Sequence, residues 1–341
     1  MKILNIMFQK YLGGIEQAFL DYNIALKHQD FEVLPVIHPK ALVKPYLDIP
    51  YKSIYNWSKY DFKAILALRN LINKYKPDAI ITHGGRAANL VKRITTRPHW
   101  FAVSHNYNFK PLLRADSIIV LTQDMHNKLY ATLDAPSKAI YILPNMIEIG
   151  STKFTKPKFR TPPIIGLMSR LSDEKSIDIF LQALHSIKLK NIPFKAKIAG
   201  EGKSKNLLQK IIINLGLENY VTLIGWVDNK EEFYKSIDIF CLTSSEESFG
   251  IVILEAFKYS KPSVLTMTPG ALDIATHNID ALLAPIGDYN QIAEFLIQLI
   301  AKREQAEHLA QSAFTRVQDY SLPNISLQLK LIIKNHKQHI Y

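Results

Sequence analysis

Two glutamates with seven residues between them, Glu247 and Glu255, sit in the stretch Ser244-Ser-Glu-Glu-Ser-Phe-Gly-Ile-Val-Ile-Leu-Glu-Ala-Phe-Lys258. A strand-like run ends at Leu242, a polar loop follows, and a helical pattern starts near Phe249-Gly250. Free backbone N–H groups at such a helix start, here Gly250 and Ile251, carry partial positive charge and form a ready site for a phosphate. Glu255 lies about five residues further on, a rise of about 7 Å. That distance suits a group beyond the phosphate, such as a ribose with paired hydroxyls. Ile253, Leu254, Ala256 and Phe257 around it make the helix largely apolar, and a carboxylate buried there is costly unless hydrogen-bonded. The plain alternative is a thin solvated stripe shared with Lys258. Glu247 acts from the loop, where Ser-Ser-Glu-Glu is also ordinary capping chemistry.

A second group of charges lies in Gly166-Leu-Met-Ser-Arg-Leu-Ser-Asp-Glu-Lys-Ser176. Arg170 follows a strand and Lys175 precedes the next helix. Cations at a helix start oppose its dipole, so two of them there point to an anionic ligand. Pairing with Asp173 or Glu174 is the local alternative.

Short apolar strands alternate with amphipathic helices almost throughout the chain, the pattern of parallel sheets covered on both faces. Strands are expected at Ile3–Phe8, Phe31–Ile37, Asp78–Thr82, His99–Ser104 and Ser117–Leu121, with helices such as Phe62–Tyr75 and Gln123–Thr132 between them. The pattern stops at Ile149–Pro163, a turn-rich stretch that reads as a linker. It resumes with strands near Ile164–Met168, Phe194–Ala199, Val221–Ile224, Ile237–Leu242 and Ser263–Leu265, and helices at Gln291–Ala301 and Glu304–Tyr320. An amphipathic helix, Ile325–Lys337, comes last. Two doubly wound α/β domains follow, with ligands expected at the carboxyl ends of strands.

The ordered set of motifs resembles the retaining nucleotide-sugar glycosyltransferases of family 4, which have the GT-B fold. Glu247 and Glu255, with Phe249-Gly250 between them, match its paired-glutamate signature. Arg170 and Glu174-Lys175 match its basic segment. Ala199-Gly-Glu-Gly202, Pro144-Asn145 and Gly13-Gly14-Ile15-Glu16 match its other turns. The resemblance implies two Rossmann-like domains facing across a cleft: an acceptor-side domain over 1–155, a donor domain over 160–322, and a C-terminal segment, 323–341, crossing back to the first domain. It also implies roles. Arg170 and Lys175 would neutralise the donor diphosphate with the N–H groups of Gly250 and Ile251. Glu255 would hold the ribose, Glu247 the transferred sugar, and the backbone at Trp226 and Val227 the base. Gly14 would admit the diphosphate and acceptor, and His105 would lie near the sugar, with a purely structural histidine as its alternative. Catalysis would need no cofactor and no metal. Pro269-Gly270-Ala271-Leu272-Asp273 departs from the family's usual glycine pair, as does Ala281 from its usual glycine.

Composition bounds the rest. The 341 residues are 48% apolar, enough for about two domains, and carry a net charge of +12. Residues 1–160 hold 23 basic and 11 acidic side chains, whereas residues 161–341 hold 19 of each. The whole excess therefore lies in the first half. There Lys40, Lys44, Lys52, Lys59 and Lys63 alternate with Tyr46, Tyr51, Tyr55, Trp57 and Tyr60, and Arg86, Lys92, Arg93 and Arg97 precede Trp100. Basic and aromatic residues together suit an anionic membrane surface; ordinary solvated surface is the alternative. No nucleic-acid-binding module is recognisable. The single cysteine, Cys241, excludes an internal disulfide and reads as core filling. With a strand at the N-terminus and no long apolar run, the expectation is a cytoplasmic protein, peripheral on the inner face of the membrane. It would take a nucleotide-sugar donor and a glycan or glycolipid acceptor. A transferase for a soluble acceptor and a catalytically silent glycan- or lipid-binding relative are the rival readings.

Overall fold

The computed structural model describes residues 1–11, 13–133 and 138–335. Its contacts divide the chain into two compact units, Met1–Glu148 with Tyr320–Tyr341, and Ile149–Asp319.

In the first unit the elements run β1 (Lys2–Met7), α1 (Gly14–His28), β2 (Glu32–Ile37), β3 (Lys52–Ser53), α2 (Phe62–Tyr75), β4 (Ala79–His83), α3 (Gly84–Val91), β5 (His99–Val103), β6 (Ser117–Val120), α4 (Gln123–Tyr130) and β7 (Ala139–Ile142). The seven strands form one sheet in the order β3-β2-β1-β4-β5-β6-β7, every pair parallel. Strands β1, β4, β5 and β6 are almost wholly buried, as expected of apolar strands covered on both faces.

The second unit repeats the plan with β8 (Ile164–Met168), α5 (Ile177–Leu189), β9 (Lys195–Ala199), α6 (Lys205–Asn214), β10 (Val221–Gly225), α7 (Lys230–Lys235), β11 (Ile239–Leu242), α8 (Ile251–Lys258), β12 (Ser263–Thr266), α9 (Pro269–Ile274), β13 (Leu282–Ala284), α10 (Tyr289–Ala301) and α11 (Arg303–Arg316). Its six parallel strands run β10-β9-β8-β11-β12-β13. Both sheets therefore reverse direction of growth at one place, between β1 and β4 in the first and between β8 and β11 in the second. A crevice opens at the carboxyl ends of the strands at such a switch point.

The chain then returns to the first unit. Ile147 and Ser321 form a parallel bridge, with the N–H of Ile147 donating to Tyr320 and that of Leu322 to Ile147. The final helix, α12 (Leu322–Asn335), buries Ile325, Leu329 and Ile333 among Ile3, Tyr22 and Leu26. The expected helix Ile325–Lys337 starts earlier than its periodicity shows, and its residues 336–337, like the end of the segment 323–341, lie outside the described residues.

Three differences from the sequence reading have local causes. Helix α3 opens on Gly84-Gly85, whose low helix propensity hides it. Strand β7 is an edge strand and only half-buried, so its alternation is weak. The run expected as a single helix over Glu304–Tyr320 ends as α-helix at Arg316 and tightens into a 3₁₀ turn over Val317–Tyr320.

Candidate functional site

In the second unit the switch point gathers most of the candidate residues. Lys175 closes a 3₁₀ turn, Asp173–Lys175, after β8, and Glu247 lies in the loop after β11. Lys175 Nζ and Glu247 Oε1 are 2.5 Å apart, with their side chains 12% and 11% exposed. The hydroxyl of Ser244 also donates to that oxygen, at 3.0 Å. The two loops are stitched together by backbone. The Glu174 carbonyl accepts from the N–H of Ser245 at 3.0 Å, and the Thr243 hydroxyl donates to the Ser176 carbonyl at 2.9 Å. A charged pair is thus held between the loops that follow two neighbouring strands.

Helix α8 begins at Ile251, slightly later than expected. Gly250 is its N-cap in the left-handed region, at φ 90° and ψ 57°, where a side chain would be strained. No side chain caps this end, and the Ile253 N–H turns back to the Gly250 carbonyl at 2.9 Å. Phe249 is buried, and its backbone packs against Gly270.

Glu255 is buried inside α8, so the solvated stripe with Lys258 is not what forms. Its carboxylate receives Lys230 Nζ at 2.5 Å and the Tyr234 hydroxyl at 3.1 Å. Burial, with the Glu255 carboxylate beside it, holds the Tyr234 phenol well above its usual range, so it remains a donor. Neither partner was identified from the sequence. Lys230 and Tyr234 lie on α7, and only the folded sheet brings that helix to α8.

Arg170 takes the local alternative. It is exposed and donates to Glu174 at 3.1 Å, leaving Lys175 as the cation that meets Glu247. The turn at Gly200, just past β9, closely approaches the segment just past β8. A Cβ on Gly200 would stand 1.8 Å from the Ser169 carbonyl oxygen. Its φ of +131° is also unfavourable for any side chain. Backbone bonds from Ser169 to Ala199 and from Leu171 to Glu201 then fix the loop carrying Arg170. Trp226, just past β10, is half exposed and its indole donates to Asp228 at 2.8 Å. Val227 follows it, partly covered.

Gly14 and His105 belong to the first unit. Gly14 opens α1, and a Cβ there would meet nothing within 4 Å; packing within the chain does not require glycine at this position. His105 follows β5, and its Nε2 lies 3.0 Å from Nδ1 of His83, the last residue of β4. The rings stack at 5.2 Å. His83 is fully buried against Tyr22 and Phe19. Burial holds the His105 imidazole down at about 4 and pushes His83 well below its usual range, with His105 adding to the latter. The pair is neutral at physiological pH. His83 was not identified from the sequence, which gave no local signal for it.

Cys241 is buried within β11 and its thiol is pushed up by burial, consistent with a packing role. Among the described residues, no helix is long and apolar enough to cross a membrane.

Residues 149–316 match the family model for glycosyl transferases group 1. These findings support a glycosyltransferase. The lipopolysaccharide core biosynthesis glycosyltransferase LpsE of Rhizobium meliloti is 23% identical over 91% of this chain and 92% of its own length. The poly(ribitol-phosphate) alpha-N-acetylglucosaminyltransferase of Staphylococcus aureus is 26% identical, covering 59% of this chain and 40% of its own. Among solved structures, Anabaena HepE in complex with UDP and glucose superimposes with a TM-score of 0.83. It is 20% identical, and the match covers 98% of this chain and 99% of HepE. The fold is GT-B, with two Rossmann-like domains.

Proposed function

We propose that this glycosyltransferase is a retaining, metal-independent enzyme that moves a hexosyl-type sugar from a nucleotide-diphosphate sugar to a lipid-linked glycan, in assembly of lipopolysaccharide or another surface polysaccharide. The observation that carries the reading is the Lys175–Glu247 pair at the β8/β11 switch point, beside the uncapped start of α8. In this reading the diphosphate takes Lys175 as its counter-ion, with Arg170 and the N–H groups of Gly250 and Ile251 around it. Glu247, released from Lys175, accepts a hydrogen bond from a sugar hydroxyl. Glu255, fixed by Lys230 and Tyr234, accepts from the ribose, and the base lies along Trp226 and Val227. His105 and Gly14 serve the sugar and the acceptor.

The chemistry follows from where charge develops. As the bond from the anomeric carbon to phosphate breaks, negative charge grows on the leaving diphosphate, where fixed cations and helix N–H groups stabilise it. The acceptor hydroxyl attacks the same face that the phosphate leaves, giving retention, and its proton passes to a departing phosphate oxygen. Glu247 is then a hydrogen-bonding partner and no covalent intermediate forms on it. The names of LpsE and of the poly(ribitol-phosphate) enzyme support the acceptor class, and the UDP and glucose held by HepE support the donor class.

The test is a transfer assay over UDP-, GDP- and ADP-sugars followed by proton NMR. The reading expects one donor to be consumed, the anomeric configuration to be kept in the product, and the rate to survive a metal chelator. Inversion or loss of activity with chelator would contradict the mechanism.

A further inference from the structure

The first unit carries a surface that none of this chemistry uses. It comprises the loop before α2, the first two turns of α2, and the end of α3. Large apolar side chains stand in solvent there: Trp57 is 81% exposed, Phe62 69% and Tyr60 62%, with Leu66 one turn beyond Phe62 also exposed. Exposed apolar groups concentrated in so short a stretch mark an interaction surface more often than ordinary protein surface. Local bonds hold them in one place. Asp61 caps α2 by accepting from the Ala64 N–H at 3.1 Å, and its other oxygen accepts from the Trp57 N–H at 2.9 Å. Trp57 is thereby fixed beside the start of α2, edge-on to Tyr55 at 5.7 Å. The Arg93 guanidinium lies over the Tyr60 ring at 4.7 Å and donates to the Lys59 carbonyl, which joins α3 to the same patch.

Basic side chains far outnumber acidic ones in this stretch. Residues 49–115 contain 12 basic side chains and only two acidic ones, Asp61 and Asp78. Both carboxylates are taken by backbone N–H groups, Asp61 as described and Asp78 by Lys2 at 2.7 Å. Among the described residues, Lys59, Lys63, Lys92 and Arg93 make no ion pair with a carboxylate. Burial lowers the Lys92 ammonium, and the charges of Arg93, Arg114 and Lys59 lower it further, with Tyr60 opposing them, so like charges crowd there.

We infer that this patch is a docking face for an anionic lipid bilayer, with Trp57, Tyr60, Phe62 and Leu66 entering the headgroup boundary and Lys59, Lys63, Lys92 and Arg93 meeting lipid phosphates. Aromatic rings favour that boundary, and clustered basic residues favour anionic lipid. A soluble polyanion would satisfy the cations but leave the exposed rings in water. The inference rests on the lipid-linked acceptor proposed above only for its purpose; the surface itself is independent of the donor site.

Vesicle co-sedimentation of the full chain tests it, comparing neutral phosphatidylcholine with vesicles containing about 30 mol % phosphatidylglycerol. The expected result is binding at least about tenfold tighter to the anionic vesicles, weakening as salt screens the cations. A Lys59→Glu, Lys63→Glu double variant should bind at least about tenfold more weakly, since each basic residue at such a surface contributes about fivefold. The same charge change at exposed Lys153 and Lys158 of the other unit should retain most of the binding. Bromine-labelled lipid should quench a component of tryptophan fluorescence that Trp57→Phe removes. Equal or absent binding to the two vesicle types, equal effects of the two double variants, or no quenching of Trp57 would each overturn the inference. Calorimetric titration of nucleoside diphosphates into the same proteins reports separately on the donor site, so failure of one reading is distinguishable from failure of the other.

Discussion

Lys175 and Glu247 are each other's counter-ion across the β8/β11 switch point, 2.5 Å apart and nearly buried. In the proposed reading an incoming diphosphate would compete for the lysine and free the glutamate, coupling donor binding to presentation of Glu247 to the sugar.

Replacing Lys175 by Ala should therefore have two effects. Nucleoside diphosphate affinity should fall about ten- to a hundredfold, the value of a charge-assisted hydrogen bond. Calorimetric titration measures this. The fold should also lose about 3 kcal/mol, because Glu247 is left without its counter-ion in a nearly buried setting, and urea unfolding measures that. A second change, Glu247→Gln, should recover most of the stability and none of the affinity.

Glu255 makes a distinct prediction. If its carboxylate holds the ribose, the wild-type protein should prefer a ribonucleoside diphosphate over its 2′-deoxy counterpart by about tenfold. Glu255→Gln should bring the two affinities to within about threefold. Equal loss for both ligands would instead indicate that Glu255 only supports α8 and α7.

Gly200→Ala would place a methyl group 1.8 Å from the Ser169 carbonyl oxygen. Backbone on both sides would have to move, at a cost of about 3 kcal/mol or more. The displaced Ser169–Leu171 loop carries Arg170, so donor affinity should fall together with the unfolding midpoint. Gly14→Ala, at a position with no neighbour within 4 Å, should leave the midpoint unchanged, and any loss would then appear in turnover.

The histidine pair gives a pH dependence. Burial holds His105 down at about 4 and pushes His83 well below its ordinary range in the folded chain, against about 6.5 when unfolded. Above pH 6.5 both states are neutral and the pair has no effect. As pH falls from 6.5 towards 4, the unfolded chain binds protons that the folded chain refuses, so stability falls. Urea midpoints measured over that window should decline in the wild-type protein, and less steeply in His83→Asn, His105→Asn.

The strands and most helices could be read from periodicity, because the central strands are apolar throughout and the helices carry one apolar face. Strand order was a different matter. That β8 lies between β9 and β11 depends on pairings such as Ile165 with Ala196 and with Ile239, and no local pattern encodes them. The same divide runs through the site. Glu247, Glu255, Arg170 and Lys175 were legible as residues, since their types and spacing are unusual in loops after strands and, for Glu255, in an otherwise apolar helix. Their partners were less so. Lys230 and Tyr234 sit in unremarkable stretches and reach Glu255 only through the second unit's sheet, as His83 reaches His105 only through the first unit's. Asp173 and Glu174 were equally plausible partners for both cations by sequence. The structure gives Glu174 to Arg170 and Asp173 to Lys203, while Lys175 turns to Glu247.

The most direct measurement of the central claim is calorimetric titration of UDP, GDP and ADP into the wild-type chain and into Lys175→Ala, with chelator present throughout. The account predicts that at least one diphosphate binds the wild-type protein without metal and binds the variant at least about tenfold more weakly. Unchanged affinity in Lys175→Ala, or no binding of any nucleoside diphosphate to the wild-type chain, would contradict it.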